Sequence, residues 1–147
     1  GAAGIFFAVQ HAQHGLLSED EFDIFVRPYD LQVLEAAQGM WLKFLHLHGT
    51  DVMFNRVAEY PVNIINWHDR ETSPSLGEGK ALFPGIVCGG IQRERSIVFG
   101  TPADVYAEAR QAFEETGGSR FILGTGCVTP IIAPYGNIMA VRKSVEG

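Results

Sequence analysis

Phe44-Leu45-His46-Leu47-His48-Gly49 is the stretch on which the reading of the whole chain turns. A short apolar run of this kind reads as a buried strand, whose period of two sends His46 and His48 to the same side. Gly49 breaks the run, so both imidazoles fall at the strand's carboxyl end. Burying them there is costly unless each finds a partner. The pair is therefore either a hydrogen-bonded structural feature or part of a metal site.

Working outward, the chain alternates. Ile5–Val9 reads as a first strand, followed by a polar loop holding Gln10, His11 and His14. Ser18 with Glu21 forms a capping box, opening a helix through Phe22 and Phe25. Pro28 separates it from a second helix, from about Asp30 to Gln38, with Leu31, Leu34 and Ala37 on one face. Gly39 ends that helix, and the strand carrying the histidines begins at Trp41. Thr50 or Asp51 is the expected cap of a helix bearing Met53, Phe54 and Val57, which Pro61 stops. Val62–Trp67 is a third strand, and 68–85 reads as a loop with at most a short helix. Ile86-Val87-Cys88 is a fourth strand ending in Gly89-Gly90. Thr101-Pro102-Ala103-Asp104 opens a helix whose buried stripe is Val105, Ala109, Ala112 and Phe113. Phe121-Ile122-Leu123 is a fifth strand, and a last helix from near Asn137 is expected to bury Ile138, Val141 and Val145.

The strands are short and apolar without polar alternation, the pattern of parallel strands covered on both faces. Polar and glycine-rich residues follow each strand, where α/β folds place their chemistry. No glycine pattern of the dinucleotide or phosphate-loop type follows a strand, so no nucleotide cofactor is signalled.

At 147 residues the chain has the size of a single domain, read as 1–147, and its 46% apolar and 19% charged residues suit a globular protein. A formal charge of -6 argues against a nucleic-acid partner. The sequence carries no polybasic cluster and no membrane-length apolar run, so membrane contact is not expected. Gly4–Val9 has no basic flank and is not read as a signal peptide. Cys88 and Cys127, far apart, suggest reduced thiols and a cytoplasmic location. The chain enters its first strand almost at once, as a piece beginning inside a domain does.

Four blocks resemble the carboxyl-terminal half of the uroporphyrinogen decarboxylase superfamily. Phe6-Phe7, Leu16-Leu17-Ser18 and Arg27-Pro28-Tyr29 resemble its fourth strand and following helix. Ile65-Asn66-Trp67 is similar to its Leu-Asp-Trp strand end. Gly89-Gly90-Ile91 with Phe99-Gly100-Thr101-Pro102 resembles its seventh-strand block. Gly124-Thr125-Gly126-Cys127-Val128-Thr129-Pro130, with Ala133-Pro134 and Asn137, resembles its last strand and the approach to its last helix. The resemblance implies an α/β fold of the parallel (β/α)8, or TIM-barrel, type, of which this chain covers roughly the last five strands. Open strand edges then call for a missing amino-terminal half or a homo-oligomer.

The resemblance also supplies candidate chemistry. One branch of the superfamily transfers methyl groups from corrinoid proteins to a thiol, with zinc held by a His-x-Cys pair and a later cysteine. His46-Leu47-His48 occupies the place of that pair, with histidine where cysteine is usual, and Cys127 the place of the later cysteine. His46, His48 and Cys127 thus form a candidate three-ligand zinc site with one position open to substrate. Gln10 is a candidate to face the same pocket. Trp67 with Asp69 is either a substrate wall with its carboxylate or core packing. Arg93 and Arg95 either meet an acidic substrate or lie solvated in a loop. Cys88 reads as packing.

Three functional readings follow. The first is a zinc-dependent, methyltransferase-like enzyme, with a corrinoid carried by a partner protein as one possible methyl donor. The second is a decarboxylase proper, acting on a tetrapyrrole in porphyrin biosynthesis without metal. Gly90 stands where that branch has asparagine, and Gly126-Cys127 where it has Gly-His, which weakens this reading. The third is a non-catalytic partial barrel acting as an assembly module.

Overall fold

Every strand pairing in the sheet is parallel, and the strands lie side by side in the order in which they occur. The computed structural model describes residues 1–146. The elements are β1 (Gly4–Val9), α1 (Glu19–Phe25), α2 (Arg27–Ala36), β2 (Leu42–Leu47), α3 (Phe54–Ala58), β3 (Ile64–Trp67), α4 (Leu76–Leu82), β4 (Ile86–Ile91), α5 (Pro102–Thr116), β5 (Phe121–Thr125) and α6 (Tyr135–Lys143). Strands with intervening helices, in sequential order and all parallel, make this part of a TIM barrel. β1 and β5 are its edge strands.

The pleat divides the side chains between two faces. Leu45 and Leu47, Ile65 and Trp67, and Val87 point toward the helices and join Phe22, Leu34, Phe54, Val57 and Leu76 in one dry cluster. Burying each such side chain contributes about 1.5–3 kcal/mol. A second cluster forms where Val105 and Ala109 of α5 meet Ile91 at the end of β4, Ile97 in the loop after it, and Ala140 of α6. The alternate residues, Phe6, Ala8, Phe44, His46, Asn66 and Cys88, line a concave inner face enclosing about 640 Å³.

Local chemistry explains where the helices start. Reciprocal capping boxes close the first turns of α1 (Ser18 with Glu21), α4 (Ser75 with Glu78) and α5 (Thr101 with Asp104). Each cap is worth about 1 kcal/mol. The box at Ser75 makes α4 the short helix that the 68–85 stretch allows. Pro28 lies in the first turn of α2, where its missing N–H costs nothing, so the helix begins at Arg27 and not near Asp30.

Three expectations are corrected. Neither Thr50 nor Asp51 caps α3, whose N-cap is Met53 with no side-chain cap bond. Thr50 N–H donates to Gln13 and Asp51 N–H to Thr72, so these residues tie neighbouring loops together. On α5, Phe113 is 60% exposed and Thr116 is buried in its stead. The Phe113 ring covers Gly118, where a β-carbon would meet it. On α6 Ile138 is exposed while Asn137 and Ala140 are buried, and Val145, beyond the helix's end, is exposed too. The Asn137 amide reaches the carbonyls of Ile97 (3.1 Å) and Gly100 (2.9 Å), which turns a polar residue inward.

Gly79 in α4 lies directly against Trp67, so a β-carbon there would fall 2.6 Å from Trp67 Cζ2 and 3.3 Å from Phe54 Cζ. Alanine normally stabilises a helix over glycine by about 1 kcal/mol. Overpacking a filled core costs about 1–3 kcal/mol. Gly79→Ala is expected to lower the urea midpoint; a raised midpoint would show that the Trp67 ring has room to move.

Candidate metal centre

The β2–β3 register decides which side chains meet. Ala8 and His46 are cross-strand neighbours, as are His46 and Asn66. Two residues on, at the same face, come His48 and His68. His48 N–H still donates to Val9 O at 2.9 Å, so His48 continues the β1–β2 ladder. The ring centroids of His48 and His68 lie 5.1 Å apart, edge to face, and those of His46 and His68 5.9 Å apart. Phe6 stacks on both Phe44 and His46, giving the cluster an apolar flank.

Cys127 follows β5 in the chain, with β4 between that strand and the histidine strands. It reaches them because the chain after Thr125 crosses back over the end of β4. At Gly126 a β-carbon would lie 2.7 Å from Trp67 O and 2.8 Å from His68 Cα, both backbone atoms that cannot step aside. Glycine is the residue that permits this approach. Cys127 Sγ then sits 3.9 Å from His48 Nδ1.

Hydrogen bonds set the state of the rings. Asn66 Nδ2 donates to Cys88 O at 2.9 Å and Thr125 O at 3.1 Å, so its Oδ1 faces His46. His46 Nδ1 must therefore be the donor in their 2.7 Å bond, which leaves Nε2 with a free lone pair. Burial, opposed by the Asn66 bond, lowers the pKa of His46; burial and then the charges of His68 and Arg93 lower that of His48. Both shifts favour the neutral ring, the form that binds metals. His68 is buried, and its Nδ1 lies 3.3 Å from Glu71, which can only accept. His68 Nε2 is buried without a partner.

These features fit a metal ion. One donor atom from each of His46, His48, His68 and Cys127 lies within 4.8 Å of all the others. Tetrahedral zinc with nitrogen and sulfur ligands spaces its donors about 3.3–3.8 Å apart, so modest side-chain adjustment closes the set. The cluster can hold a metal, and the orphaned His68 nitrogen is the kind of buried atom that a metal satisfies.

The three residues of the sequence proposal, His46, His48 and Cys127, are thus brought together, and Gln10 lines the same cavity. The other candidates lie elsewhere. Trp67 is fully buried on the helix side, donating to Pro74 O at 2.8 Å and packing against Phe54, so it walls no pocket. Asp69 accepts from Gly90 N–H at 3.0 Å and lies 3.5 Å from Arg70, tying the ends of β3 and β4 together. Burial raises its pKa to about 7, against the pull of Arg70 and Gly90 N–H. Arg93 pairs with Glu94 at 3.1 Å and approaches Glu71, leaving it beside the cluster and outside the cavity lining. Cys88 lines the cavity floor, but burial and then Asp69 push its thiol up to about 12, so it stays protonated. His68 was missed because it sits in what reads as a loop. Counting by two from Asn66 past Trp67 would have found it.

The fold and site define a class: a parallel β/α barrel segment with a histidine–cysteine cluster at the carboxyl ends of its strands. A family profile described as uroporphyrinogen decarboxylase (URO-D) matches residues 1–147, and the chain belongs to that family. Among solved structures it is similar to a methyltransferase from Methanosarcina mazei, with a TM-score of 0.80 and 23% sequence identity. The similarity covers 98% of this chain and 42% of that one, so the chain spans under half the neighbour's length. At that identity the likeness speaks for the fold alone. No curated protein matches the chain in sequence.

Two substitutions test the construction of the site. Gly126→Ala should push the Cys127 loop off β3, costing about 1–3 kcal/mol of stability and separating the thiol from the histidines. A cysteine–histidine distance unchanged in a crystal structure of the variant would refute the crossing argument. Asn66→Asp replaces an amide that donates to two carbonyls with a carboxylate that repels them. It is expected to cost about 3 kcal/mol in denaturant unfolding, the upper end for a buried unmade hydrogen bond.

Proposed function

We propose that this chain carries the metal site of a methyltransferase-like member of the family, in which a zinc ion activates a thiol for attack on a methyl group. The observation that supports it most directly is the convergence of His46, His48, His68 and Cys127 at the carboxyl rim, with His68 Nε2 buried and unpartnered. Bound there, zinc supplies Lewis acidity that lowers a thiol's pKa and yields a thiolate nucleophile at neutral pH.

The chain's own residues would do the rest. His46, tied through Asn66 to the neighbouring strands, presents a fixed Nε2. Phe6, Ala8 and Phe44 form the apolar side of the cavity, a surface against which the apolar part of a substrate would lie. Gln10 lines the cavity with polar atoms for orienting a substrate. The donor set holds one thiolate among three imidazoles, which leaves more positive charge on the metal than two thiolates would. Four protein donors saturate a tetrahedral ion, so a substrate thiol would enter as a fifth ligand or in place of a loop donor, and the net positive charge would favour its anion. The methyl donor in this reading is a corrinoid on a partner protein or another activated methyl compound.

Metal analysis of the protein after loading with zinc and removal of excess ion is expected to find stoichiometric metal. His46→Ala and Cys127→Ala should each lose most of it while keeping wild-type circular dichroism. Absence of bound zinc in the wild type, or full retention in both variants, defeats the proposal.

A further inference from the structure

We infer that Glu71 is the positioning residue for the metal site, holding His68 as a ligand through a relay anchored on α5. The inference rests on the metal reading above and concerns a residue outside the donor set.

The relay can be followed atom by atom. Gln92 N–H donates to Glu108 of α5 at 3.0 Å. Gln92 Oε1 accepts from the backbone N–H groups of Glu94 and Arg95. Its amide is thereby oriented, and the remaining Nε2 donates to Glu71 Oε1 at 3.3 Å. The other carboxylate oxygen, Glu71 Oε2, faces His68 Nδ1 at 3.3 Å.

Each link constrains the next. A carboxylate only accepts, so Nδ1 carries the proton, and in the neutral ring the buried, unpartnered Nε2 keeps its lone pair for a metal. In a purely structural role that buried Nε2 leaves an acceptor unmet, an arrangement that folded proteins rarely tolerate. Glu71 is also 3.8 Å from Arg93 Nε, too long for a hydrogen bond, so the ion pair does not account for its placement. Without Glu71 the ring is free to adopt the Nε2–H tautomer, which cannot ligate through Nε2. The negative charge behind the ring also strengthens its donation, as second-sphere carboxylates generally do.

The test is competition of zinc against a chromophoric chelator, with the visible spectrum of the cobalt-loaded protein as a second readout. Glu71→Ala is expected to weaken zinc binding by about 10-fold or more. The cobalt ligand-field bands should change, while the thiolate-to-cobalt band from Cys127 persists. Glu71→Gln, which keeps an accepting oxygen, should lose less. If the alanine variant does not fold, Gln92→Ala decides, with a smaller loss of affinity and the same spectral change expected. Wild-type affinity and spectrum in the variant that decides overturn the role of Glu71 and leave the metal reading standing. A wild-type protein that takes up neither zinc nor cobalt removes the metal reading itself, and this inference with it.

Discussion

The side-chain amide of Asn66 is the interaction on which the site depends. From β3 it reaches His46 on β2, Cys88 O on β4 and Thr125 O on β5, so one planar group spans four neighbouring strands. Each bond contributes only about 0.5–1.5 kcal/mol net, but two are buried and the one to Thr125 partly so, where an unmade bond costs more than a made one gains. The amide therefore acts less as glue than as a constraint on orientation. Its two donors are committed to carbonyls, so its oxygen and the His46 ring have one arrangement left. The parallel register supplies the other half of the constraint, because it places Asn66 opposite His46.

The two faces of the sheet serve opposite purposes. Toward the helices, Leu45, Leu47, Ile65, Trp67 and Val87 make a dry, close-packed layer that fixes the strands. On the inner face, the ends of those rigid strands carry polar side chains into a cavity. The loops that complete the site come close because β-carbons are missing. At Gly126 the chain touches the backbone of Trp67 and His68, and at Gly89 a β-carbon would clash with the Asp69 carboxylate. The chemistry at the rim is thus paid for by backbone proximity that only glycine allows.

Much of this was legible in the sequence, and the gaps have physical causes. The alternation of strands and helices, the capping boxes and the same-face placement of His46 and His48 follow from local rules. Cys127 came from resemblance, since no local rule shows that a loop after β5 crosses β4. Trp67 was open to either face because Ile64–Trp67 is buried on both sides, which erases the alternation that would assign it. The exposed Phe113 and the buried Asn137 reverse the usual reading of a helical stripe. Phe113 has Gly118 to lie on, and Asn137 has carbonyls to satisfy it. Both are tertiary facts that helical periodicity does not contain.

The four donors differ in how firmly the fold holds them, and this bears on how the set can close around an ion. His46 lies within β2, its backbone in the ladder and its ring bonded to Asn66. His48 extends that ladder by one hydrogen bond to Val9. His68 and Cys127 follow their strands, in loops. Moving a strand by an ångström would break ladder bonds and disturb the dry layer behind it, whereas a loop donor shifts by changes of a few torsions. The contraction from 4.8 Å to tetrahedral spacing must therefore come mainly from His68 and Cys127. These are also the two donors whose neighbours are most specialised: Glu71 behind the one, Gly126 before the other. The fold fixes half of the site through the sheet and leaves the other half to contacts that hold a loop in place.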